Sequence, residues 1–248
     1  MSKVVALHEL EDGIVLIAME DRVSRNTFSK ELVAGLLEAF QHIAGNPNYK
    51  VVVLTGYDNY FCCGGTKEEL ISIFKGEIKF NDIDFFTLPL ECRLPVIAAM
   101  QGHGIGAGLV FGLYADFPVM AKESIYSANF MRYGFTPGVG GTMMLPLKLG
   151  EVLGSEMLYT AGNYRGGQLK ERGVQLKVFP RADVLKEALS MARELAEKPR
   201  QSLIILKEHL TRQIKAGLPE VIERELKMHE ISFHLPEVGE RINTLFGR

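Results

Sequence analysis

The 248-residue chain is poor in cysteine, with three in all, and two of them, Cys62 and Cys63, are adjacent. Adjacent cysteines rarely bridge each other and no CxxC pair exists, so neither a disulfide framework nor a cysteine metal pair is written into the sequence. They read as small buried residues of a reducing compartment. Also missing is any apolar stretch approaching the roughly 20 residues of a membrane span, and MSKVVALHEL has no run of signal-peptide length. No membrane partner is expected, and the cytoplasm is the expected location. Nor is there an excess of positive charge: 28 Lys and Arg stand against 30 Asp and Glu, a formal net charge of -2, with the cations scattered. Nucleic acid is therefore not an expected partner. Low-complexity segments, long linkers and internal repeats are lacking as well. What is present, 47% hydrophobic and 23% charged residues, suffices for one large domain or one domain with a small appendage.

The first two-thirds alternates strands and helices. VVALHEL and GIVLIAM read as short strands joined across Glu11-Asp12-Gly13 in a hairpin-like turn. Ser29 is placed to cap an amphipathic helix running to about Ala44, with Leu32, Leu36, Phe40 and Ile43 at helical spacing. KVVVLTG at 50–56 is the continuous apolar run that a parallel strand covered on both faces needs, and PVIAAMQG is a second. A helix from Ala107 to Tyr114 follows, then DFPVMAK, whose Pro suggests an edge strand or a strand start. From Gly138 onward the pattern turns helical, with helices expected over Ala182–Glu197, Gln201–Lys215 and Leu218–His234. This predicts an α/β core over 1–195 and a helical C-terminal region over 196–248.

Two glycine-rich turns carry the chemistry. QGHGIGAGLVFGLYAD at 101–116 and YFCCGGT at 60–66 could aim two backbone N–H groups at one carbonyl oxygen, because glycine allows strained turns and close backbone approach. A helix opening after the second turn adds the positive end of its dipole. Chemistry through an enolate is the expectation. A dinucleotide-binding reading of the same glycines fails, since the opening strand-helix position and the downstream acidic residue are missing.

DRVSRNTFS at 21–29, VVVLTG followed by FCCGGT, PVIAAMQGHGIGAGLVFGLYAD and YGFTPGVGGT together resemble the ordered signatures of the crotonase, or enoyl-CoA hydratase/isomerase, superfamily, over nearly the whole chain. That resemblance implies a crotonase-like spiral of repeated ββα units, with trailing helices that make a homotrimer or a dimer of trimers. It assigns the oxyanion donors to the N–H groups of Gly65 and Ala107, and the pantetheine and acyl entrance to Cys63 and Gly64. Arg25 and Asn26 match a motif near the nucleotide end, Asn26 as a loop-fixing residue. His103, ahead of the second turn, is expected to support that turn.

The departures from the family narrow the reading. Where its hydratases place two glutamates, this chain has Val110 and Phe130, and neither can orient or deprotonate water. Two apolar residues facing the acyl group would keep water out and strengthen electrostatic contacts, which suits decarboxylation. Ile222, Leu226, His229 and Phe233 share one helical face, so His229 is expected to point inward. Lys79 in GEIKF, His229 in MHEISFH, MQGHGIG and YSANFMRYGFTPG resemble a narrower group, the decarboxylating crotonase-like enzymes of the polyketide β-branching cassette.

What this implies is loss of CO2 from a 3-methylglutaconyl thioester to give a 3-methylcrotonyl thioester. Lys79 would hold the departing carboxylate, His229 would assist, and Gly65 and Ala107 would stabilise the dienolate oxygen. No cofactor or metal is implied; the substrate rides on the phosphopantetheine of an acyl carrier protein, or on CoA. For an acidic carrier protein, Lys207, Arg212 and Lys215 offer some basic surface on one late helix. An enoyl thioester isomerase with His229 as base, a hydratase-like enzyme, and a non-catalytic acyl-binding protein are the alternatives.

Overall fold

The computed structural model describes residues 3–79 and 85–247. Strands β1 (Val5–Glu9) and β2 (Ile14–Met19) pair antiparallel, closing on a short 3-10 turn at Glu11–Gly13. Helix α1 (Lys30–Gly45) follows, and the Ser29 side chain caps it by accepting from the Leu32 N–H. Three similar excursions come next. β3 (Val51–Thr55) leads to β4 (Tyr60–Cys62) and helices α2 (Lys67–Phe74) and α3 (Leu88–Glu91). β5 (Val96–Met100) leads to β6 (His103–Ile105) and α4 (Ala107–Leu113), and β7 (Phe117–Ala121) to β8 (Ile125–Ser127). Each excursion donates its first strand to one sheet and its second to another.

The larger sheet runs β1-β2-β3-β5-β7-β10 and the smaller β4-β6-β8-β9, which is the spiral of ββα units. β9 (Tyr164–Arg165) and β10 (Lys177–Phe179) were not expected from a sequence whose second half reads as helical; they lie between helices α5 (Gly141–Leu149), α6 (Glu151–Thr160), α7 (Gly166–Glu171) and α8 (Arg181–Ala196). β10 pairs with β7 only from Val119 onward. Pro118 sits one residue earlier, so its missing N–H removes no bond on that side. The proline marks a strand start inside the sheet, not an edge.

Period-two alternation sorts the sheet residues onto two faces. Val52 and Leu54 enter the main core with α1 and α4, whereas Val51 and Val53 meet Val184, Ala188 and Ala192 of α8. Small side chains on α8 let it lie close to the sheet.

The last helices depart from expectation. The two predicted over 201–215 and 218–234 are one helix, α9 (Arg200–Ser232), which continues through Pro219, followed by α10 (Pro236–Leu245). An interior proline forfeits one helical bond, but Leu218 beside it is buried in the main core and packing carries the helix across. The C-terminal region shares the core of the rest, through Ile204, Leu218, Phe233, Val238 and Ile242. Lys207 is not surface: it is 5% exposed, paired with Asp116 at 2.7 Å, and donates to the Pro89 and Leu94 carbonyls. Lys215 pairs with Glu91 at 3.0 Å. The basic face expected for a carrier protein is thus largely consumed in pinning α9 to the core. Among the described residues no helix is long and apolar enough to cross a membrane.

Candidate active site

The turn after β4 and the turn before α4 lie against each other. A side chain added at Gly64, whose φ is +80°, would come within 2.9 Å of the Ile105 carbonyl oxygen and 3.5 Å of the Ala107 nitrogen. One added at Gly108 would strike the Cys62 carbonyl oxygen at 2.2 Å. Only glycine permits this approach. Backbone bonds fix the first turn from its other side, Phe28 N–H donating to the Gly64 carbonyl (2.7 Å) and Cys63 N–H to Asn26 (3.0 Å). Asn26 is fully buried and holds its loop as expected, accepting from Asp21 N–H and donating to the Met19 and Phe61 carbonyls. Ala107 is the first residue of α4, a position whose N–H has no acceptor within the helix.

Cys63, Gly64, Gly65, Gly106 and Ala107 line a cavity of about 420 Å³ with mostly apolar walls. Phe28 and Phe85, edge to face at 4.7 Å, form one part of the wall; Phe130, Tyr133 and Phe135 form another. Lys79 also lines it, on an exposed stretch. The structure therefore brings together Gly65, Ala107, Cys63, Gly64, Phe130 and Lys79.

Two expected members stand elsewhere. Val110 is fully buried and is not among the lining residues; its side chain packs toward Gly141 instead. The reason is register, since three residues into α4 the helix has turned that side chain into the core. His229 points inward as its helical face requires and is 5% exposed, but it too is outside the lining set. Its ring stands edge-on to Phe135 at 6.3 Å and to Phe233 at 5.5 Å. Nε2 donates to the Thr136 carbonyl at 2.8 Å, since a carbonyl can only accept. Burial holds the imidazole below its ordinary value, against the raising effect of the Thr136 and Pro137 carbonyls.

A second, more polar cavity of about 670 Å³ shares Cys63, Asn129, Tyr133 and Phe246 with the first and carries Arg25, Lys67 and Arg132. His103 lines it and supports β8, Nδ1 accepting from the Ile125 N–H at 2.9 Å. Desolvation, then Arg181 and Arg165, lower its pKa. The Cys63 thiol is pushed up to about 12 by burial, so it is no nucleophile near neutrality. All three cysteines are free. Among the described residues no group of three or more His, Cys, Asp or Glu is placed to hold a metal ion.

Sequence reasoning missed Asn129, whose Oδ1 would lie 2.6 Å from a side chain at Gly106, and Glu225. The inward face of α9 is centred on Leu218, Glu225, His229 and Ser232, rotated from the apolar face inferred from Ile222 and Leu226. The spacing of Glu225 four residues before His229 was the available signal.

The enoyl-CoA hydratase/isomerase family model matches residues 9–243. The chain is 54% identical to the bacillaene synthase decarboxylase PksI of Bacillus subtilis (strain 168) over 98% of both sequences. It superposes with a TM-score of 0.97, at 54% identity and covering 98% of this chain and 96% of the other, on a solved structure from a dehydratase/decarboxylase enzyme couple involved in polyketide β-branching. The ECH2 decarboxylase domain of CurF from Lyngbya majuscula superposes with a TM-score of 0.94, at 49% identity over 97% of this chain and 98% of that one.

Proposed function

The chain belongs to the enoyl-CoA hydratase/isomerase family, and from that premise we propose that it removes CO2 from a 3-methylglutaconyl thioester, leaving a 3-methylcrotonyl thioester, during polyketide β-branching. The observation that carries this is the mostly apolar cavity, which sets the paired backbone turns and Lys79 around one space, with Phe130 where the family's hydratases place a carboxylate; Lys30 and Glu69 line it as well. Breaking the bond to the carboxylate sends its electron pair through the adjacent double bond to the thioester oxygen. The N–H groups of Gly65 and Ala107 would receive that charge, in a setting where fixed dipoles count for more than in water. Lys79 would grip the carboxylate before it leaves and hold the breaking bond across the π system. The dienolate then takes one proton at its α or γ carbon, from Lys79 or a water beside it.

His229 enters as a supporting group: by holding the Thr136 carbonyl it steadies Phe135, a wall of the cavity. The carrier-borne phosphopantetheine would enter through the polar cavity, where Arg25, Lys67 and Arg132 suit its phosphodiester. Subunits would meet as a homotrimer or a dimer of trimers through exposed apolar residues such as Val152 and Tyr159 of α6. The reaction itself needs no cofactor.

The test is to incubate the protein with a 3-methylglutaconyl thioester on pantetheine or carrier protein and follow the acyl mass. Loss of one CO2, strongly slowed in Lys79→Ala, is expected. An unchanged mass with a moved double bond would identify an isomerase, and no change at all would leave only acyl binding.

A further inference from the structure

We infer that Glu225 is a positioning residue for this site: its carboxylate locks the Val139–Gly140 turn, and through it the stretch that walls the cavity. The inference rests on the decarboxylase reading only for its kinetic consequence. Glu225 is 1% exposed. One carboxylate oxygen accepts from the Gly140 N–H at 2.6 Å, and the other from the Thr142 N–H at 2.9 Å and the Thr142 hydroxyl at 2.6 Å. Three donors converge on two oxygens.

The turn held in this way is strained. Val139 has φ +55°, a left-handed conformation that a β-branched residue adopts only where its surroundings dictate it. Those surroundings are Glu225 on one side and Tyr114 on the other, whose hydroxyl donates to the Val139 carbonyl at 2.7 Å. Nothing larger than glycine fits next to it, since a side chain at Gly140 would meet the Tyr114 hydroxyl at 2.0 Å.

Along α9, Glu225, His229 and Ser232 fall four and three residues apart and so share a face. His229 holds the Thr136 carbonyl, and the Ser232 hydroxyl accepts from the Thr136 N–H at 3.1 Å. Phe135, between Thr136 and the rest of the wall, stacks on Phe233 at 4.0 Å. The strip thus grips residues 136–142 at both ends, with Glu225 at the end farther from the cavity. Losing it releases the turn and lets Thr136, His229 and Phe135 shift together.

A carboxylate is specifically required. Glutamine would present an NH2 to one of the backbone N–H groups, setting donor against donor. Burial raises the carboxyl's pKa, opposed by the Thr142 and Gly140 bonds, so the three donors offset the cost of an anion kept out of water.

The test compares wild type, Glu225→Gln and the milder Thr142→Val, which removes only the hydroxyl donor. Two readouts are used: kcat and KM for CO2 release, and the titration of the His229 imidazole followed by NMR. A kcat at least tenfold lower in Glu225→Gln with KM within about twofold, a smaller loss in Thr142→Val, and a displaced His229 titration are expected. A lowered melting temperature with kcat and the His229 titration both unmoved would assign Glu225 to stability alone and overturn the inference. Should Glu225→Gln fail to fold, an unmoved kcat and titration in Thr142→Val would overturn it equally. Wild type without CO2 release would defeat the decarboxylase reading but leave the NMR arm able to judge the positioning role.

Discussion

On one side of the apolar cavity the Cys62–Gly65 and Gly106–Gly108 turns meet backbone to backbone; on the other, residues 133–142 are held by side chains reaching from α9. The first wall is set by backbone meeting backbone between the turns, braced from behind by the Asn26 side chain on the Phe61 carbonyl. It resists anything larger than glycine where the turns touch and is indifferent elsewhere. The second wall depends on a carboxylate, an imidazole and a hydroxyl, so point substitutions reach it without any steric clash. A backbone donor can be damaged only by moving the chain, whereas a positioned aromatic wall can be loosened one hydrogen bond at a time.

The largest effect that would break this contrast is predicted at Gly108. Gly108→Ala puts a methyl 2.2 Å from the Cys62 carbonyl, so the turns must part and the donors diverge. CO2 release should fall by about 10² to 10³, the usual cost of losing one such donor, as measured by single-turnover kinetics. Lys79→Ala should lower kcat by a similar or somewhat smaller factor. Because Lys79 is exposed, its melting temperature, read by scanning calorimetry, should stay within a degree or so of wild type.

A smaller effect concerns pH and the second wall. Burial lowers the His229 pKa below that of the unfolded chain, so the unfolded state binds a proton first as pH falls. The stabilisation is complete above about pH 6.5 and is lost as pH drops through the folded value. Wild type should therefore lose melting temperature relative to His229→Gln between pH 7 and 5; parallel profiles would show that the imidazole is not desolvated. The smallest effect is expected at Gly65, where an added methyl meets only Leu70 and Glu69 at ordinary distances of 3.7 and 3.9 Å. Gly65→Ala should keep CO2 release within about threefold of wild type, and a loss comparable to that of Gly108→Ala would refute the claim that the first wall is indifferent to side chains.

Five strands of the large sheet were legible, the inner ones because runs such as Val51–Thr55 and Val96–Met100 are buried on both faces and must be continuously apolar, whereas the three-residue β10 was missed. The small sheet was not, since strands of three residues such as His103–Ile105 are too short to display a period. Glycine turns could be read because close approach leaves no other residue possible. By contrast, the fate of Lys207 depended on Asp116, far away in sequence. Local rules alone would place a lysine in water, although its spacing from the buried Leu203 and Thr211 was a clue. The break expected between Lys215 and Leu218 failed for the same reason, since packing carries one helix across it. Val110 shows the limit of carrying a position over from relatives: the place in the chain matched, but the side chain turns into the core.

Strand β4, the tight turns and α4 all precede residue 114, whereas Glu225, His229 and Phe246 emerge much later, and Phe246 touches both cavities. At translation rates of about 5–20 residues per second, several seconds separate the two sets on the ribosome. The residues of both turns are synthesised early, yet the Gly106 turn still waits for Ser127 to accept its N–H, and the enclosure that would commit a thioester to losing CO2 does not exist until synthesis is all but finished.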